Sequence, residues 1–191
     1  MLFCTGALLC LPLVGVTSAN AAVYLRPLHV VGDSISFMTA PAIDEAFRGT
    51  AWRDVDVHGV PGIRMAGQLP YIESQLAKPT NWVIELGTND AWGNNPNWAV
   101  DFANEVNALA AERCVILVTV GITPPLEPMA DQINSSIYSA ATTHEDFHVL
   151  DSSVIYTNPA LISADQVHPT SAGEQELALL IKDAVRSDCG P

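Results

Sequence analysis

The chain has 191 residues, 49% of them hydrophobic, with 21 acidic against 8 basic side chains and a formal net charge of −13. That length and apolar content suit one domain with a sizeable core. So large an excess of negative charge argues against nucleic acid or an anionic membrane surface as a partner, and by itself names no substrate.

Residues Leu2 to Val16 form an apolar run without Asp, Glu, Lys or Arg, followed by the small residues Ala19-Asn20-Ala21. Run and spacing predict a secretory signal peptide over 1–21, cleaved before Ala22, and a single domain over 22–191. No Lys or Arg precedes the run, a departure from the usual pattern. About 15 apolar residues is short for a membrane anchor, so a secreted chain without stable membrane insertion is expected. Ala7-Leu8-Leu9 also makes a poor lipidation signal ahead of Cys10. Cys4 and Cys10 leave with such a peptide. Cys114 and Cys189 then form an even count in an oxidising compartment, which predicts a bridge between them. The alternative is two unrelated buried thiols.

Short β-rich runs then alternate with helical patterns. Leu28 to Val31 reads as a first strand that halts at Gly32-Asp33-Ser34-Ile35-Ser36. Thr39 to Phe47 reads as a helix, with Pro41 tolerable only near its first turn. Val55 to His58 is a second strand, Gly59 to Gly62 a turn, and Gln68 to Ala77 a helix. Trp82 to Leu86 is the third strand, leading into Gly87-Thr88-Asn89-Asp90 and a Trp- and Asn-rich loop, then a helix over Trp98 to Ala111. Cys114 to Val120 is the fourth strand, Gln132 to Thr143 a helix and Phe147 to Leu150 the fifth strand. A long loop carries Asp165 and His168, and Ser171 caps a last helix running through Val185. Such alternation implies a parallel sheet between helical layers. Loops after the strand ends of that sheet gather on one edge, where ligands bind. Every polar block named here follows a strand.

Ser34 sits at a strand-to-helix turn, where the first backbone amides of a helix favour an anion. It reads as a nucleophile, with helix capping by Ser34 or Ser36 as the alternative. Acyl transfer through serine needs a base, an orienter for the base and donors for the oxyanion. His168 supplies the base and Asp165, three residues earlier, the orienter; a surface turn or a metal pair are the competing readings. Gly62 and Asn89 are candidate oxyanion donors, against a plain turn and an Asx-turn respectively. His29, His58, His144 and His148 read as core or surface residues.

These residues occur in the order of four blocks: Gly32-Asp33-Ser34-Ile35-Ser36, Gly62, Gly87-Thr88-Asn89-Asp90 and Asp165-Gln166-Val167-His168. In this the chain resembles the SGNH (GDSL) hydrolases over about Leu28 to Val185. The resemblance implies a three-layer α/β/α, flavodoxin-like fold with a five-stranded parallel sheet, and ester hydrolysis without metal or cofactor. By position it assigns Ser34 as nucleophile and first oxyanion donor, Gly62 and Asn89 as further donors, His168 as base and Asp165 as its partner. Gly59 competes with Gly62 for the second block. Asp33 and Asp90 read as structural acids, and Arg64 either as solvated or as a contact for an anionic substrate group. Trp92, Asn94, Asn95 and Trp98 suit a sugar ring, or else pack their loop onto the domain. The expected function is a secreted esterase for short acyl groups, acetyl in particular, on a small-molecule or polysaccharide substrate. A lipid esterase or lysophospholipase, an acetyltransferase and a non-catalytic cell-surface binding module are the alternatives.

Overall fold

Five β-rich runs become five parallel strands, and the three central ones alternate their side chains onto two buried faces. The computed structural model describes residues 27–52, 54–77 and 79–190, and the signal-peptide reading lies outside them. The strands are β1 (Leu28–Gly32), β2 (Val55–Gly59), β3 (Asn81–Glu85), β4 (Cys114–Val118) and β5 (Phe147–Leu150), in the sheet order β2-β1-β3-β4-β5. All four pairings are parallel, with Gly32 of β1 level with Gly59 of β2 and Glu85 of β3. β1, β3 and β4 are buried along their whole length, as central strands covered on both faces must be.

One face packs Val31, Trp82, Ile84 and Leu117 against α2 (Met65–Gln75), α4 (Trp98–Leu109) and α5 (Met129–Thr143). The other packs Val30, Val83, Ile116 and Val118 against α1 (Ser34–Phe47) and α7 (Ser171–Asp188). Two short helices complete the chain, α3 (Thr88–Trp92) and α6 (Ser153–Thr157). This is the expected three-layer α/β/α architecture. Cys114 at the start of β4 is joined to Cys189 just beyond α7, with Cα atoms 5.4 Å apart.

Several boundaries differ from the sequence reading. α1 begins at Ser34 rather than Thr39, so Pro41 lies inside it; α2 begins at Met65 rather than Gln68, with Pro70 inside. α5 starts three residues before Gln132, and β4 ends at Val118. α3 and α6 occupy stretches expected to be loop. The last helix is capped by Thr170, whose side chain accepts the Gly173 N–H, and not by Ser171.

Candidate active site

The turn after β1 sets the first reactive side chain. Asp33 caps α1 by accepting the Ile35 N–H at 2.9 Å. Neither Ser34 nor Ser36 is the cap, so Ser34 is left as the first helical residue, where backbone N–H groups lack intrahelical partners. Ser36 points the other way, giving its N–H (3.0 Å) and Oγ–H (2.9 Å) to Glu85 Oε2 at the end of β3. The glycines make this packing possible. A Cβ on Gly32 would stand 2.0 Å from Ser36 Oγ, and one on Gly59 would stand 2.3 Å from the Phe37 nitrogen. Gln68 Nε2 ties the region together by donating to the Gly32 carbonyl at 2.7 Å.

The segment ahead of α7 brings up the second group. Ser34 Oγ lies 2.9 Å from His168 Nε2, and His168 Nδ1 lies 2.7 Å from Asp165 Oδ2. Asp165 Oδ1 accepts the N–H groups of Val167 (2.9 Å) and His168 (3.0 Å), so the carboxylate and the ring it holds share one turn. Ser163 Oγ stands 2.7 Å from the same oxygen and 2.6 Å from the His168 carbonyl. What burial Asp165 has pushes its carboxyl up, but the bonds from His168, Ser163 and Val167 outweigh it and hold the group well below the usual carboxylate range. Asp165 is therefore an anion facing the Nδ1 side of the ring.

The third group follows β3. Asn89, in the first turn of α3, donates Nδ2–H to Asp33 Oδ2 at 3.0 Å. An amide carries two such hydrogens, so one remains. Burial pushes the Asp33 carboxyl up to about 6 despite the bonds from Ile35 and Asn89 and the nearby His168. Asp90, fully buried beside it, accepts the Met65 N–H at 3.1 Å and the Asn95 Nδ2–H at 2.6 Å. Both acids thus accept hydrogen bonds that tie loops of the fold together, and Asp90 caps α2 from a distant part of the chain. The two glycine candidates separate cleanly. Gly59 is pressed against α1, whereas Gly62 lies at φ +76° in an exposed turn where an added Cβ would meet nothing within 4 Å.

Other side chains fall into place. His29 stacks on Trp82 with ring centroids 4.6 Å apart, His58 on Tyr71 at 3.7 Å and His144 on Phe147 at 4.7 Å, and His148 lies in β5. Asn95 is buried and Trp98 packs on the core, while Trp92 is 58% exposed. Glu85 is the residue that sequence reading missed. Its signal was an acid after the apolar run Trp82-Val83-Ile84, directly before Leu86-Gly87. Burial first, and Asp33 second, push its carboxyl up, against the bonds from Ser36.

No family model and no curated protein matches the sequence. Solved structures do. A member of the lipolytic protein G-D-S-L family from Veillonella parvula is 17% identical with a TM-score of 0.66, covering 84% of this chain and 97% of its own. The fold is that of the SGNH hydrolases. A carbohydrate esterase family 3 protein from Talaromyces cellulolyticus has the same SGNH fold at 21% identity and a TM-score of 0.70, covering 84% of this chain and 96% of its own. So does the C-terminal catalytic domain of the peptidoglycan O-acetyltransferase OatA from Streptococcus pneumoniae, at 20% identity and 0.70, covering 85% and 94%.

Proposed function

We propose that the chain is a serine esterase for short acyl esters, with Ser34 as nucleophile. The observation that carries this is one line of contacts, Ser34 Oγ to His168 Nε2 at 2.9 Å and His168 Nδ1 to Asp165 Oδ2 at 2.7 Å. An ionised Asp165 fixes the tautomer in which Nδ1 bears hydrogen and Nε2 has a lone pair for the serine proton. Ser34 Oγ attacks the ester carbonyl carbon as its proton passes to Nε2. The carbonyl oxygen becomes an oxyanion, received by the N–H groups of Ser34 and Gly62 and the remaining Nδ2–H of Asn89. His168 then protonates the departing alcohol oxygen, leaving an acyl-Ser34 that water hydrolyses by the same path in reverse.

The fold shared with a carbohydrate esterase and with a peptidoglycan O-acetyltransferase supports a sugar ester as substrate, and the exposed indole of Trp92 supports it further. The Cys114–Cys189 bridge supports an oxidising, extracellular setting. Turnover of p-nitrophenyl acetate by the wild type, Ser34→Ala and His168→Ala tests the reading. Each variant is expected to lose about a thousandfold or more in kcat. Equal background rates in all three would leave the binding-module alternative.

A further inference from the structure

Positive charge is scarce in this chain, and its placement is uneven. Among the described residues, Arg48 and Arg113 precede β2 and β4, on the sheet edge opposite the site, and Lys182 and Arg186 border the same cavity as Thr50 and Trp52 ahead of β2. Arg64 is the only described Lys or Arg on the edge that carries Ser34, Asn89 and His168. It is exposed, and no described carboxylate lies within ion-pair distance of it.

The guanidinium is nonetheless seated. It lies over Gly93, the residue after α3, where a Cβ would stand 2.2 Å from Arg64 Nη2 and 3.2 Å from Cζ. Gly93 has φ −88° and ψ 5°, a conformation open to any residue, so its missing side chain makes room for Arg64 and does not relax the backbone. The same point lies 3.2 Å from the Asn89 backbone carbonyl oxygen, so the guanidinium borders the short helix α3 whose first turn carries Asn89. The neighbouring residue, Trp92, offers an exposed indole face.

From this we infer that Arg64 determines specificity by receiving the carboxylate of an acidic sugar ester whose ring stacks on Trp92, an inference that rests on the esterase reading above. A planar fork with several N–H donors matches a carboxylate. One guanidinium with no second Lys or Arg on that edge among the described residues suits one negative charge, and in a chain of net charge −13 the surrounding field gives a dianion no further help. The carboxylate has two natural sources on a sugar, a uronic acid and a lactyl ether.

The test is a ratio. Acetate release is measured from two matched pairs: methyl glucosiduronate against methyl glucoside acetates, and 6-O-acetyl N-acetylmuramic acid against 6-O-acetyl N-acetylglucosamine. In the wild type at least one pair is expected to favour its acidic member by about fivefold in kcat/KM, the scale of an exposed ion pair. That pair names the source. In Arg64→Gln the ratio should fall to near one, through KM and not kcat, as lost ground-state binding requires. Gly93→Ala keeps the charge but displaces the guanidinium, and should lower the ratio too. A ratio unchanged by both variants, or no preference in either pair while p-nitrophenyl acetate is turned over, overturns the inference and leaves the esterase intact. If no ester is turned over above Ser34→Ala, the esterase reading fails. The subsite is then read by tryptophan fluorescence with N-acetylmuramic acid and N-acetylglucosamine. Tighter binding of the acid, lost in Arg64→Gln, supports the subsite, and equal binding overturns it.

Discussion

Asp33 has one carboxyl and two donors to satisfy, the Ile35 N–H that starts α1 and the Asn89 Nδ2–H that follows β3. It links the helix bearing Ser34 to the third loop of the site while touching no substrate in the proposed mechanism. Asp33→Asn preserves an acceptor for one donor and turns an amide toward the other. Its kcat on p-nitrophenyl acetate should fall about tenfold or more, because a misdirected oxyanion donor is lost mainly from the transition state. KM should hold. Asp33→Ala also removes the cap, at a further cost of about 1 kcal/mol in stability. A wild-type kcat in Asp33→Asn would show that Asn89 is held by something else.

Among the elements, α5 is hydrogen-bonded to the backbone just past β4 by the side chain of Asn134. Asn134 Oδ1 accepts the Val120 N–H at 2.7 Å and its Nδ2 donates to the Val120 carbonyl at 2.8 Å, so one buried amide completes a backbone unit that has left the sheet. Asn134→Ala strands both Val120 groups and should cost about 2 to 4 kcal/mol by denaturant unfolding. A loss below about 0.5 kcal/mol would mean that water replaces the amide. Such long-range ties explain what the sequence conceals. The strands were legible because β-branched runs ending at Gly32, Gly59 and Leu86-Gly87 carry their own signal, and so was the grouping of Ser34, Asn89, Asp165 and His168 after strands. The start of α2 was not, since its cap is Asp90, some 25 residues away. The first turn of α1 was not legible either, since it is the Asp33 cap and the grip of Glu85 on Ser36 that wind it.

Across the whole molecule, buried acids and net charge act in the same direction. Asp33, Glu85 and Glu105 are all buried with carboxyls pushed up, Glu105 by burial first and then by Asp90 and Asp101. A carboxyl raised on folding binds its proton more tightly in the folded chain. Its stabilising effect is full below the ordinary carboxylate range and is lost as pH rises through the folded value, which for Asp33 means between about 4 and 6. Asp165 has the opposite sign, and its contribution is lost only as pH falls below the ordinary range. The melting temperature should therefore be higher at pH 5 than at pH 8. Repulsion among the excess acids predicts the same trend, so salt must separate the two. At about 0.5 M NaCl surface repulsion is screened, whereas a buried carboxyl is not. Glu105 isolates the second effect, because its Oε1 has no hydrogen-bond partner and Asp90 and Asp101 lie close by. Glu105→Gln removes the titration and supplies N–H donors to those acids. In high salt it should raise the melting temperature at pH 8 by about 2 to 4 °C, the equivalent of about 1 kcal/mol in a chain this size, and do little at pH 5. A variant that melts lower at pH 8 than the wild type would mean that Glu105 carries its charge in the folded protein, and the buried acids would then not set the slope.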